Sequence, residues 1–124
     1  MHVELPHRDT TEEIIGAAFE VYGILGYGFL ESDYQKAMQV ELQRLGLKCE
    51  IECPIKVQYQ GVIVGEFRAD LFVEGLVVAE LKTAKNYCPD DEPQLLNKLK
   101  ATGAKVGWLI NFGRTKAEFK RMVF

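Results

Sequence analysis

Asp70, Glu80 and Lys82 are charged residues set into stretches otherwise built from Val, Leu, Ala and Phe. An unpaired carboxylate is costly to take out of water, so an Asp and a Glu arriving together require protons or a cation between them. Glu80 and Lys82 are two apart in a strand-like segment and share a face, which puts an ammonium beside any cation that Glu80 helps to hold. Hard divalent cations take oxygen ligands, and Mg2+ in particular is held by one or two carboxylates, waters and substrate phosphate. The spacing also fits a cross-strand ion pair between Lys82 and one carboxylate at a sheet edge. One requirement separates the two. If Glu74-Gly75 closed a regular two-residue hairpin, Asp70 would face Ala79 and stand on the side opposite Glu80. A shared site therefore predicts an odd-length loop or a bulge between these strands.

The elements that must position these residues follow from periodicity. Thr10-Thr11-Glu12-Glu13 has the capping-box pattern, and Ile14, Ala18, Val21, Tyr22 and Leu25 follow at helical spacing, so a first helix should begin there. The glycines at 23, 26 and 28 end it in a turn, and Phe29 opens a second helix through Leu30, Tyr34, Ala37, Met38, Leu42 and Leu45, closed by Gly46. Glu31 falls on or beside the core stripe of that helix, or at its solvated edge; Tyr34, one turn on, reads as core. From Lys48 the period changes to two. Strands are expected through Cys49–Cys53, Ile55–Tyr59, Val62–Val73 with a bulge at Gly65, and Leu76–Lys82. Asp90 or Asp91 should cap a helix with Pro93 in its first turn and a buried stripe of Leu95, Leu96 and Leu99, ended by Gly103. Lys105–Asn111 is apolar on both faces, as in a parallel pair, so residues 76–111 form a βαβ unit, and the tail from Phe119 adds a short edge element.

The chain has 124 residues, 48% of them hydrophobic, enough for one domain spanning 1–124 to bury its own core. Acids outnumber bases 18 to 15, which argues against a generally basic nucleic-acid coat protein, so any nucleic-acid role must be local. No apolar run approaches the roughly 20 residues of a membrane helix, and the opening Met1–Pro6 lacks the apolar stretch of a signal peptide. A cytoplasmic protein, whole as it stands and with no membrane partner, is the expectation. Three cysteines cannot all pair, which fits a reducing compartment. Cys49, Ile51 and Cys53 alternate and should share one face as small core residues rather than zinc ligands.

Gly28-Phe29-Leu30-Glu31-Ser32-Asp33-Tyr34 matches the GxxExxY signature. Gly65–Leu71, Val78–Lys82, Gln94–Asn97 and Ala101–Gly103 resemble the later blocks of the same family, a small branch of the PD-(D/E)XK nuclease-like superfamily. The likeness covers nearly the whole chain. It implies an α/β fold (an α+β mixed sheet) with a restriction-endonuclease-like αβββαβ core and an additional N-terminal helix, and metal-dependent phosphodiester hydrolysis in DNA or RNA. By resemblance, Asp70 is the motif's first acid, Glu80 and Lys82 its E-x-K, Glu31 the acid of the preceding helix and Gln94 the glutamine opening the crossover helix. Ala69 stands where the superfamily name has proline, and Asp91 and Pro93 depart from the histidine and alanine expected around Gln94.

On this reading Asp70, Glu80 and the carbonyl of Leu81 hold Mg2+ or Mn2+, with Glu31 binding directly or through water. Lys82 orients the nucleophile or stabilises charge on the phosphate, and Gln94 supplies a hydrogen bond. Lys85, Lys98, Lys100, Lys105 and Arg114 are either substrate contacts or a solvated charged face. Arg68 shares the alternation of Asp70 and could meet that acid or phosphate. The rival is a catalytically inactive nuclease-fold module for binding or assembly, its acids tied up in ion pairs; a homodimer fits either reading. Paired acids alone also fit glycoside hydrolysis, which Lys82 and the ordered motifs disfavour.

Overall fold

The computed structural model describes residues 7–124, so the opening segment read above for a leader lies outside the described residues. Two helices, α1 (Arg8–Leu25) and α2 (Glu31–Arg44), precede strands β1 (Cys49–Tyr59), β2 (Val62–Val73) and β3 (Val77–Lys82). After a short 3-10 turn at Pro89–Asp91 come α3 (Glu92–Thr102), β4 (Val106–Phe112) and β5 (Ala117–Val123). The strands form one sheet in the order β1-β2-β3-β4-β5, antiparallel except for the parallel β3–β4 pair. This is the expected mixed sheet, and the β3-α3-β4 crossover is the expected βαβ unit. The tail is a full edge strand along β4 rather than a short element.

Helices cover both faces because each buries one apolar stripe. On one face Ile14, Ala18 and Val21 of α1 and Tyr34, Met38 and Leu42 of α2 pack on Leu71, Val73, Ala79, Leu81, Ile110 and Phe112. On the other, Leu95 and Leu99 of α3 pack on Ile55, Ala69, Val78 and Leu109. Tyr34 is core as expected, fully buried and stacked on Phe112 at 4.3 Å between ring centroids. Among the described residues no helix is long and apolar enough to cross a membrane.

Three local expectations are corrected. Helix α1 begins at Arg8, and Thr11, being buried, turns its hydroxyl back onto the Arg8 carbonyl at 2.8 Å instead of capping. Helix α2 begins at Glu31 rather than Phe29, where the Asp33 carboxylate accepts the Leu30 N–H at 3.0 Å. Asp91 stands at the N-terminal boundary of α3, but its side chain makes no capping bond, because the preceding 3-10 turn already leads the chain into the helix.

The crossover helix sits close to the sheet. A Cβ on Gly107 of β4 would meet Leu95 Cδ1 at 2.9 Å, Leu99 Cδ2 at 3.1 Å and the Val78 carbonyl oxygen at 3.2 Å. Two of these are flexible side-chain ends; the third is backbone and cannot yield. Gly107→Ala should therefore cost about 1–3 kcal/mol, read as a lower urea midpoint with unchanged slope. An unchanged midpoint would mean that α3 is not held at this distance.

Candidate functional site

Asp70 and Glu80 meet because of the turn between their strands. Val73 pairs with Val77 and Leu71 with Ala79, so Glu74, Gly75 and Leu76 form a three-residue loop. Glu74 and Gly75 both adopt left-handed conformations (φ 56° and 63°), and the Leu76 N–H closes on the Val73 carbonyl at 2.9 Å. The odd count continues the register to place Asp70 beside Glu80 on one side of the sheet, as a shared site requires. The Asp70 carboxylate accepts the Leu81 N–H at 2.8 Å, which fixes it against β3.

A second irregularity makes Asp70 reachable from both layers. Cys49, Ile51, Leu71 and Val73 belong to the α1–α2 core, whereas Cys53, Ile55 and Ala69 face α3. Both strands of the β1–β2 pair thus exchange faces at Glu52 and Asp70, which stand across from each other. Glu52 takes a left-handed φ of 51°, and this rotation is why Cys53 does not share a face with Cys49 and Ile51 as alternation predicted. The buried amide of Gln35 pins the switch, donating to Glu52 Oε1 at 3.1 Å and to the Asp70 carbonyl at 3.0 Å. On the α2 side Asp70, Glu52, Glu31, Ser32 and Gln35 line a cleft of about 230 Å3.

On the α3 side Glu80 is buried, 6% exposed, and its partner is Lys98. The Lys98 ammonium lies 2.7 Å from Glu80 Oε1 and also donates to the Arg68 carbonyl at 2.7 Å. The ion pair that alternation offered to Lys82 is made instead from α3, because β3 is an interior strand with a helix lying across it. Burial, and next the negative charge of Asp70, push the Glu80 carboxyl up to about 8, against the pull of Lys98. The Lys98 ammonium at 2.7 Å opposes that rise, and burial together with Asp70 outweighs it.

The remaining expected residues surround this pair. Glu31 is the exposed first residue of α2, its carboxyl raised by partial burial and then by Asp70, with Lys82 opposing. Lys82 ends β3, half-buried, its charge felt at Glu31. Leu81, next to Glu80 in β3, is fully buried, and its N–H is the donor to Asp70. Gln94 is exposed in the first turn of α3, four residues before Lys98 and so on its face. Arg68 is exposed, and its carbonyl, not its guanidinium, is what the site engages. Glu52 and Gln35 do not stand out by pattern, and Lys98, a candidate substrate contact there, does not stand out as the partner of Glu80. The available signals were a carboxylate inside the Cys49–Cys53 alternation and a lysine beside the Leu95/Leu99 stripe.

Two neighbouring carboxylates on one side of the sheet, those of Asp70 and Glu80, are a donor set suited to a hard divalent ion. Among the described residues no three His, Cys, Asp or Glu side chains converge as a ligand cluster. Mg2+ commonly needs no more than two carboxylates, with water and phosphate completing its shell.

The family model that matches this chain is that of the PD-(D/E)XK nuclease superfamily, over residues 8–122. No curated protein and no solved structure matches it.

In carboxyl NMR titrations Glu80 should ionise last, near pH 8; Asp70→Asn should lower that value and Lys98→Met raise it. Because the folded value lies above the ordinary 4.5, the native state binds more protons than the unfolded chain between about pH 4.5 and 8. Stability should fall as pH rises through that window, and Glu80→Gln should flatten the fall. A Glu80 that titrates with the ordinary carboxylates would overturn this picture of the site.

Proposed function

Since the chain belongs to the PD-(D/E)XK nuclease superfamily, we propose that it is a nuclease hydrolysing phosphodiester bonds in DNA or RNA with Mg2+ or Mn2+. The order of its blocks, from Gly28–Tyr34 to Ala101–Gly103, supports placing it in the GxxExxY branch. The observation that carries the reading is the contact of Asp70 with Glu80 on one face, produced by the three-residue loop.

Asp70, Glu80 and the Leu81 carbonyl would hold the cation, which when bound polarises the phosphate and acidifies a water. Glu31, which lines the α2-side cleft with Asp70, would bind the cation directly or through water. Glu80 would hold the cation through its carboxylate, and Lys98, bonded to Glu80 Oε1 and to the Arg68 carbonyl, would position that carboxylate from the α3 side. Lys82, whose field already reaches Glu31, meets charge developing on the phosphate. Gln94 offers a hydrogen bond from the first turn of α3.

One feature favours a second reading. Lys98 already holds Glu80 Oε1, as expected of an inactive module whose acids are tied up. Calorimetric titration with Mn2+ and Mg2+ separates the two. The nuclease reading expects binding in the wild type, loss of it in Asp70→Asn and tighter binding in Lys98→Met, where a competing cation is gone. Incubated with single-stranded, duplex and branched DNA and with RNA, the wild type should cleave at least one, and Lys82→Ala should be slower by about a hundredfold or more. Absence of metal binding in the wild type would put the inactive module ahead.

A further inference from the structure

A groove of about 620 Å3 opens between the β1–β2 hairpin and α3. Lys56, Gln58 and Phe67 line it from the hairpin, Asn97 and Lys100 from the helix. None of its lining residues is acidic, although Glu66 stands across the hairpin from Lys56 and acids exceed bases 18 to 15 over the chain. The contrast with the cleft on the α2 side is complete: Glu31, Glu52 and Asp70 line that one, and no base does. A polyanion is therefore repelled by one concavity and attracted by the other.

The groove's polar and aromatic groups narrow the ligand further. Phe67 is 40% exposed on the wall, since β2 pairs with β3 only over Leu71–Val73 and the hairpin around Phe67 projects beyond the sheet. A ring left open to solvent between lysines and amides is a stacking platform for a base, and a base can stack there only if it is unpaired. The volume lies within the range of roughly 300–1,000 Å3 found for small-ligand sites, room for a nucleotide or two. Both walls also run directly to the acids. Asn97 precedes Lys98 and Phe67 precedes Arg68, and Lys98 joins the Arg68 carbonyl to Glu80.

We propose that this groove binds an unpaired stretch of nucleic acid, its phosphates against Lys56 and Lys100 and a base stacked on Phe67, and leads it to Asp70 and Glu80. The proposal rests on the nuclease reading for what the strand meets at the groove's end, not for the binding itself. Gln58 and Asn97 supply donors and acceptors to the base edge or sugar. Lys100, whose ammonium lies 5.9 Å from the Phe124 ring centroid, exchanges that weak contact for a phosphate.

Fluorescence anisotropy on the Asp70→Asn protein without divalent metal tests it, using labelled oligo-dT, oligo-U and a blunt duplex of the same length. The single strands should bind more tightly than the duplex. In Lys56→Ala/Lys100→Ala the slope of log affinity against log salt should shrink by about 1.4, the effect of two phosphate contacts to a single strand. Phe67→Ala should weaken binding about tenfold, and Phe67→Trp should restore it. Lys100→Ala alone leaves the hairpin untouched and should still lower affinity, which guards against a folding defect in the other variants. Duplex bound as tightly as single strand, or affinity unmoved by these substitutions, overturns the proposal. So does a dimer in sedimentation that Phe67→Ala dissociates without changing oligonucleotide binding, since the face would then join two copies of the chain. A wild type that binds the strand here yet neither takes up Mn2+ nor cleaves would support the groove while removing the nuclease reading.

Discussion

Two carboxyl groups in contact, one of them almost wholly out of water, are the constraint on which the rest of this structure depends. Glu80 is 6% exposed and Asp70 lies beside it. Left unpaired, a buried charge of this kind costs several kcal/mol, more than most single interactions return. Three remedies exist: a proton, a lysine or a metal ion. The chain supplies the first two, a proton favoured up to about pH 8 and Lys98 at 2.7 Å. The position of α3 follows from that need. Lys98 reaches Glu80 only because the helix lies close over β3 and β4, and Gly107 is the point in β4 that lets it lie there. The acid pair, the buried lysine and the glycine-backed helix are one arrangement.

The hairpin obeys a second constraint. For Asp70 to face Glu80 and also open into the cleft beneath α2, β1 and β2 must exchange faces in mid-strand. The exchange requires a residue in a left-handed conformation, and here that residue is Glu52, which has a Cβ and gains nothing from the geometry by itself. Gln35 provides the compensation, bonding Glu52 and the Asp70 backbone together. Beyond the switch β2 leaves β3, so the outer half of the hairpin has no neighbour in the sheet and its Tyr59, Val62, Ile63 and Val64 stay exposed. The same departure opens the basic groove against α3.

Much of this was legible in residue pattern, for a physical reason that also marks where it fails. Period two and period 3.6 report one-sided burial, so the strands, the crossover helix and the two N-terminal helices were recoverable wherever one face meets a core. The register test at Glu74-Gly75 worked because strand parity is rigid: one residue more or less in a loop sends every side chain to the other face. Parity carries no warning of Glu52, since a non-glycine residue with positive φ leaves no trace in sequence, and Cys53 therefore lies on the face opposite to the one alternation predicts. Lys98 was missed as a partner of Glu80 for another reason. The pairing depends on how far α3 slides along the sheet, which is set by tertiary packing and not by spacing along the chain. Lys82, two residues from Glu80, was the local alternative, and the interior position of β3 gave that place to a residue of the overlying helix.

Net charge describes this molecule poorly, because its charges are sorted by face. The excess of three acids equals in number the set Glu31, Asp70 and Glu80; of these Glu31 and Asp70, with Glu52, line the cleft on the α2 side, while Glu80 faces α3 and is held by Lys98. The α3 side carries lysines and no acid in its groove. On the proposed reading, a phosphodiester held in that groove would approach Glu80 past Lys98, from the positive side. Its scissile phosphate would meet the carboxylates only across whatever cation lies between them. Acidity at the site and affinity for a polyanion are thus compatible in one small domain, provided that the two concavities stay apart. The seam that separates them is Asp70, the residue at which the strand changes face.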